Sequence, residues 1–97
     1  MEFKEPFKTG FTVYTKSGCP NCSKVKKIFN ERKMSYQIID CDDYLIEDKI
    51  NFLLFIEKKT NIIFKSFPMI FNDDIFIGGY QETINYVDKL LSFDEVF

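Results

Sequence analysis

The chain of 97 residues has no histidine, no alanine, one arginine and three cysteines. Without histidine, its own side chains cannot carry a triad or histidine acid–base chemistry. A metal site would have to be built from cysteines and carboxylates alone. Three cysteines make an odd, low count, which argues against a framework of structural disulfides. No apolar run reaches the roughly 18 residues needed to span a bilayer, so no membrane partner is expected. The formal charge is −2 with no basic block, so nucleic acid is not an expected partner either. The first six residues, Met1 to Pro6, lack the apolar core and small-residue cleavage site of a secretory signal. The expected compartment is therefore the cytoplasm. Ile, Lys, Asn and Phe abound while Ala is missing, a bias that fits an AT-rich genome such as that of a large DNA virus or a parasite. A viral source would make the compartment the host cytoplasm or the virion.

What is present suits one folded domain over 1–97, with its core at about 11–92. Twelve phenylalanines and an apolar fraction of 45% are ample for one core, and a charged fraction of 29% is ordinary for a soluble surface. No linker, repeat or low-complexity segment interrupts the pattern.

Residues 1–10 read as a short leading segment with at most one helical turn. Phe11–Thr15 is β-branched and aromatic and reads as a first strand. A helix opens at Cys19, with Pro20 at its first position, where a missing N–H costs nothing. Val25, Ile28 and Phe29 give it an apolar stripe. Lys24, Lys26, Lys27, Arg32 and Lys33 cover its other faces and suit the negative end of its dipole. Tyr36–Asp40 reads as a second strand, and the acidic cluster from Asp40 to Asp43 as a turn. A second helix is expected over 45–59, with Ile46, Ile50, Leu53 and Leu54 at helical spacing, although Phe52, Phe55 and Ile56 make it apolar nearly all round. Residues 62–64 are ambiguous in pattern. Strands are expected at 69–71 and 75–77 around a hairpin signal at Asn72, Asp73 and Asp74. Gly78 and Gly79 break the last strand. A final helix covers about 81–91, with Ile84, Val87, Leu90 and Leu91 inward. The order β-α-β-α-β-β-α implies a right-handed parallel β-α-β unit followed by an antiparallel hairpin. That is an α/β three-layer sandwich around a four-stranded mixed sheet.

The chemistry concentrates in Cys19-Pro20-Asn21-Cys22, at the junction of the first strand and first helix. Thiol–disulfide exchange needs a thiolate, and a free cysteine with a pKa of about 8.5 is mostly protonated at neutral pH. A cysteine at a helix N-cap faces unpaired N–H groups and the positive dipole end, which stabilise its anion. Lys16 can add a cation. Cys19 is thus the expected nucleophile and Cys22, one turn further in, the resolving thiol. A zinc half-site is the competing reading of such a pair, but only Cys41 and carboxylates remain to complete it. Cys41 is read as a bystander after the second strand.

Three segments resemble the glutaredoxins, thioredoxin-fold enzymes that use glutathione. Lys16-Ser-Gly-Cys-Pro-Asn-Cys22 is similar to the family's Lys-x-x-Cys-Pro-Tyr-Cys. Ser66-Phe67-Pro68 is similar to its Thr-Val-Pro. Gly78-Gly79-Tyr80-Gln81-Glu82 is similar to its Gly-Gly-x-Ser/Thr-Asp. The resemblance implies that Cys19 carries a glutathionyl mixed disulfide and that Lys16 meets the glycine carboxylate of glutathione. It implies that Pro68 is cis and that Phe67 offers its backbone to the cysteinyl part. Gln81 and Glu82, with Gly79 and Tyr80 beside them, would hold the γ-glutamyl end, and Lys65 stands where the family often has Arg. Asn21 replaces an aromatic or small residue that flanks the glutathione site, Phe67 replaces Val, and Glu82 replaces Asp. The stretch 61–65 is slightly longer than usual.

The implied activity is that of a dithiol glutaredoxin, a monomer acting on glutathionylated or disulfide-bonded proteins. Glutathione is the co-substrate, and no cofactor or metal is held tightly. Two rival readings stand beside it. One is a thioredoxin-like electron donor to ribonucleotide reductase, reduced by a flavoprotein. The other is a carrier in which two chains and two glutathiones share an iron–sulfur cluster, against which Pro20 counts.

Overall fold

The computed structural model describes residues 1–95; positions 96 and 97 of the expected domain lie outside the described residues. The elements run β1 (Phe11–Thr15), α1 (Pro20–Glu31), β2 (Tyr36–Asp40), α2 (Asp42–Thr60), β3 (Met69–Asn72), β4 (Ile75–Gly78) and α3 (Tyr80–Glu95). The sheet order is β2-β1-β3-β4. β1 pairs parallel with β2 and antiparallel with β3, and β3 pairs antiparallel with β4. Every residue of β1 is buried, as its central place in the sheet requires.

Strand alternation sends side chains into two separate cores. Phe11 and Val13 of β1 and Ile70 of β3 pack with Val25 and Phe29 of α1 and Val87 of α3. Tyr14, Met69 and Phe71 face the other way and pack with Phe52 and Ile56 of α2. α1 and α3 therefore cover one face of the sheet and α2 the other, giving the expected three layers. Arg32 Nη2 on Asp88 Oδ1, 3.0 Å, ties the end of α1 to α3. The β3–β4 hairpin turns through Asp73 and Asp74, both at positive φ (51° and 60°), the conformation of a two-residue type I′ loop. Asp73 Oδ1 also accepts the Gly10 N–H, 2.7 Å, which anchors the chain entering β1.

Residues 1–10 form the expected short leading segment, without a helical turn, and Phe3 and Phe7 pack against the α2-side core. Several local expectations are corrected. α2 begins at Asp42, so the acidic cluster forms a helix start rather than a turn. Asp40 Oδ1 accepts the Asp42 N–H there, 2.9 Å, and Asp42 and Asp43 suit the positive end of the helix dipole. α2 breaks at Asp48 (φ −155°, ψ 53°), whose carboxylate accepts the Asn51 amide, 3.0 Å. The stripe that α2 buries is Phe52 and Ile56, whereas Ile46, Ile50 and Leu54 are exposed. A helix apolar on nearly every side does not declare its inner face by spacing. The aromatic contacts decide it, for Phe52 packs on Phe3, Tyr14, Tyr44 and Phe67. On α3, Thr83 and Val87 are buried and Leu90 is exposed rather than inward. Arg32 is the C-cap of α1 and Lys33 adopts a positive φ beyond it, so neither lies in the last helical turn.

Candidate active site

β1 ends at Thr15, and residues 16–18 turn the chain toward α1, with Gly18 at φ 69°. The parallel register sets Thr15 beside Asp40, which carries the start of α2 to the same edge. There Asp42 holds the turn: the Ser17 N–H donates to Oδ1, 2.8 Å, and the Ser17 hydroxyl donates to Oδ2. These bonds, with a smaller contribution from Lys16, hold the Asp42 carboxyl below the usual carboxylate range.

Cys19 follows as the N-cap of α1, in extended conformation (φ −112°, ψ 100°), and Pro20 occupies the first helical turn. Its Sγ accepts the Cys22 N–H, 3.2 Å. The two sulfurs are joined as a disulfide, with the Cα atoms 5.3 Å apart. Cys22 is buried, at 2% exposure, while Cys19 stays partly accessible. An attacking sulfur must be reached from outside, so the accessible end of the pair is Cys19.

A groove of about 420 Å³ opens at Cys19. Lys16, Asn21, Lys65 and Phe67 line it, with Gly18, Pro20 and Ser66 completing the wall. No carboxylate is among the lining residues, so the groove is cationic although the whole chain is weakly acidic. The Lys16 ammonium stands 5.8 Å from the centre of the Phe67 ring. The Phe67–Pro68 peptide is cis, the isomer that the resemblance implies.

The remaining candidates are not among the residues lining this groove. Gly79 passes close to Pro68, where a Cβ would meet the Pro68 carbonyl oxygen at 3.5 Å. Tyr80 sits under the Lys24 ammonium, 5.7 Å from the ring centre. Gln81 Nε2 contacts Asn85 Oδ1 at 3.4 Å. Glu82 Oε1 accepts the Gly79 N–H at 2.8 Å, the glutamate half of a capping box, which fastens the first turn of α3. The sequence set thus divides into a cluster at the groove (Lys16, Cys19 with its disulfide partner Cys22, Asn21, Lys65, Phe67) and a group at the start of α3 (Gly79, Tyr80, Gln81, Glu82), with Pro68 between them. The Ser17–Asp42 clamp was missed by sequence reasoning. Its signal was available, since a parallel β1–β2 pair sets the residues after both strands side by side.

Cys41 is fully buried. Its thiol donates weakly to the Ile39 carbonyl, 3.6 Å. Burial, with Asp40 and Asp42 nearby, pushes its pKa up to about 12. Among the described residues, no group of three or more Cys, Asp or Glu side chains is placed to hold a metal ion.

The sequence pattern of the family described as Glutaredoxin matches residues 11–77. Glutaredoxin 1 of Rickettsia conorii is 33% identical over 84 residues, covering 81% of this chain and 78% of that protein. The glutaredoxin-like protein NrdH of Lactococcus lactis is 30% identical over 70 residues, covering 72% and 86%. The crystal structure of glutaredoxin 1 from Francisella tularensis, complexed with cacodylate, superposes with a TM-score of 0.71 at 31% identity and covers 86% of this chain and 96% of that one. With its Cys19–Cys22 pair at the head of α1, this chain belongs to the glutaredoxin family of thiol oxidoreductases.

Proposed function

We propose that the protein is a dithiol glutaredoxin that uses glutathione to reduce protein–glutathione mixed disulfides and protein disulfides. The observation that carries this reading is the groove at Cys19, walled by Lys16 and Lys65 and free of lining carboxylates. Glutathione is an anion with two carboxylates, and such a groove attracts it. In this reading Lys16 meets the glycine carboxylate, Lys65 adds positive charge at the groove's edge, and the Phe67 backbone before cis-Pro68 pairs with the cysteinyl part. The start of α3 at Tyr80 and Gln81 receives the γ-glutamyl carboxylate, as helix N-termini receive anions.

The Cys19 thiolate attacks the glutathione sulfur of a protein mixed disulfide. A Cys19–glutathione disulfide forms, and the protein thiolate leaves and takes up a proton. A second glutathione thiolate then attacks that glutathione sulfur, releasing Cys19 and glutathione disulfide. Alternatively the Cys22 thiolate attacks the Cys19 sulfur and expels glutathione, which yields the Cys19–Cys22 disulfide. Two further glutathiones reduce that disulfide. The protein acts as a monomer in the cytoplasm.

The similarity to the NrdH-like relative and the use of Glu82 as a helix cap favour one second reading. It is a thioredoxin-like donor, reduced by a flavoprotein and serving ribonucleotide reductase. Turnover of hydroxyethyl disulfide with glutathione, glutathione reductase and NADPH, run beside insulin reduction with thioredoxin reductase, separates the two. Activity in the first system supports the glutathione reading. Activity only in the second replaces it with the other.

A further inference from the structure

The apolar side chains left at the surface are unevenly distributed. Of nine large ones exposed among the described residues, five (Ile46, Ile50, Leu54, Ile62 and Ile63) belong to α2 or the loop after it. Ile50 and Ile63 are 75% and 71% exposed. Ile50 and Leu54 stand one turn apart beyond the break at Asp48. With Leu53, Ile63 and Phe64 they line a groove of about 250 Å³. Clustered exposed apolar surface of this kind marks an interaction site.

Two charged side chains also line this groove, Glu57 and Lys65. Lys65 lines the Cys19 groove as well, so the apolar groove continues the redox groove across one lysine. A partner chain that brings a sulfur to Cys19 and passes Lys65 meets the apolar groove next. Its matching sequence carries an acidic residue against Lys65, apolar residues over Ile50, Leu54 and Ile63, and a basic residue against Glu57. We infer that the groove between α2 and residues 63–65 docks the segment flanking the reactive cysteine of a protein substrate, and that it selects acidic-then-apolar segments. This rests on the proposed exchange chemistry at Cys19 and adds to it a choice of protein substrate. The chemical step is unchanged: the Cys19 thiolate takes the glutathionyl group and the peptide leaves as a thiolate.

The test uses three synthetic peptides of about a dozen residues, each with one glutathionylated cysteine. In two of them the cysteine is joined to an Asp, three apolar residues and a Lys, running toward the C-terminus in one and toward the N-terminus in the other. In the third these positions are Gly and Ser. With glutathione and glutathione reductase, the wild-type protein should turn over one patterned peptide with kcat/KM about tenfold above the Gly/Ser peptide, the size expected for covering one large apolar side chain. The double variant Ile50→Ser with Leu54→Ser, and separately Ile63→Ser in the loop, should lose that preference. Both should keep hydroxyethyl disulfide turnover within about twofold, which also reports an intact fold. Equal rates on all three peptides with wild-type protein, or an undiminished preference in both variants, overturns the inference and leaves the glutathione reading in place. A wild-type dimer in sedimentation that Ile50→Ser with Leu54→Ser dissociates also overturns it, because a second copy would then occupy the groove. No turnover of hydroxyethyl disulfide by the wild-type protein removes the glutathione reading, and the inference falls with it.

Discussion

The Glu82 carboxylate accepts the backbone N–H of Gly79 at 2.8 Å, and this bond joins the glycine pair to the first turn of α3. Sequence resemblance alone had assigned the same carboxylate to glutathione. Replacing it therefore has a structural cost as well as any effect on binding. Glu82→Ala should lower stability by about 1 kcal/mol, the usual size of a lost helix cap, whereas Glu82→Gln keeps an acceptor and should lose much less. Urea denaturation of both variants measures the difference. Gly78→Ala should be worse than either. Gly78 has φ 133°, and a Cβ there would lie 2.7 Å from the Glu82 Cβ.

The Ser17–Asp42 clamp makes the loop before Cys19 sensitive to acid. The Asp42 carboxyl titrates lower in the folded protein than the ordinary 3.8, chiefly because Ser17 bonds it twice. The unfolded chain then binds more protons than the native one as pH drops below about 5. The clamp's contribution is complete above the ordinary carboxylate pKa and disappears as pH falls through the lower folded value. Asp42→Asn should flatten the dependence of stability on pH below 4 and change little at pH 7 beyond the loss of the clamp itself. Thermal melts from pH 2.5 to 7 test this, and equal slopes in wild type and variant would count against the clamp.

Much of the fold was legible in the chain. The alternation of Phe11, Val13 and Tyr14, the Pro20 start of α1 and the Asp73–Asp74 turn each carry a local backbone rule. The inner face of α2 was not legible, because Ile46, Ile50 and Leu54 keep as good a helical spacing as Phe52 and Ile56. Only the rings of Phe3, Tyr14 and Phe67, distant in sequence, show which side is buried. The site divides similarly. Cys19, Lys16 and Phe67 are joined by local order and by the sheet, whereas Asp42 reaches Ser17 only once β1 and β2 are set side by side.

Phe52 is the hub of the α2-side core, fully buried and in ring contact with residues from the leading segment, β1, α2 and the loop before Pro68. Phe52→Ala should cost about 3–5 kcal/mol, as large aromatic truncations do. Chemical denaturation gives the value. Ile50→Ala, on the exposed side of the same helix, should stay within about 0.5 kcal/mol of wild type.

The two lysines of the groove should act on glutathione rather than on the fold. Lys16→Ala with Lys65→Ala should raise KM for glutathione roughly tenfold, equivalent to one charge-assisted hydrogen bond of about 1.5 kcal/mol. An unchanged KM would place glutathione elsewhere.

The three cysteines should separate cleanly. In the reduced protein, Cys19 at the N-cap should alkylate with iodoacetamide at a midpoint below the free-thiol value of about 8.5. Cys41, buried and pushed up to about 12, should resist. Cys19→Ser should abolish both deglutathionylation and protein-disulfide reduction. Cys22→Ser should keep the first and lose most of the second. Cys41→Ser should change neither by more than a few-fold.

The most direct test of the account traps the intermediate. Cys22→Ser protein is mixed with glutathione disulfide, quenched with acid and mapped by peptide mass spectrometry. One glutathione per chain is expected, on Cys19, and added glutathione should remove it at the rate of turnover. No adduct on Cys19, an adduct on Cys41, or a Cys19 adduct that glutathione cannot remove would contradict the account.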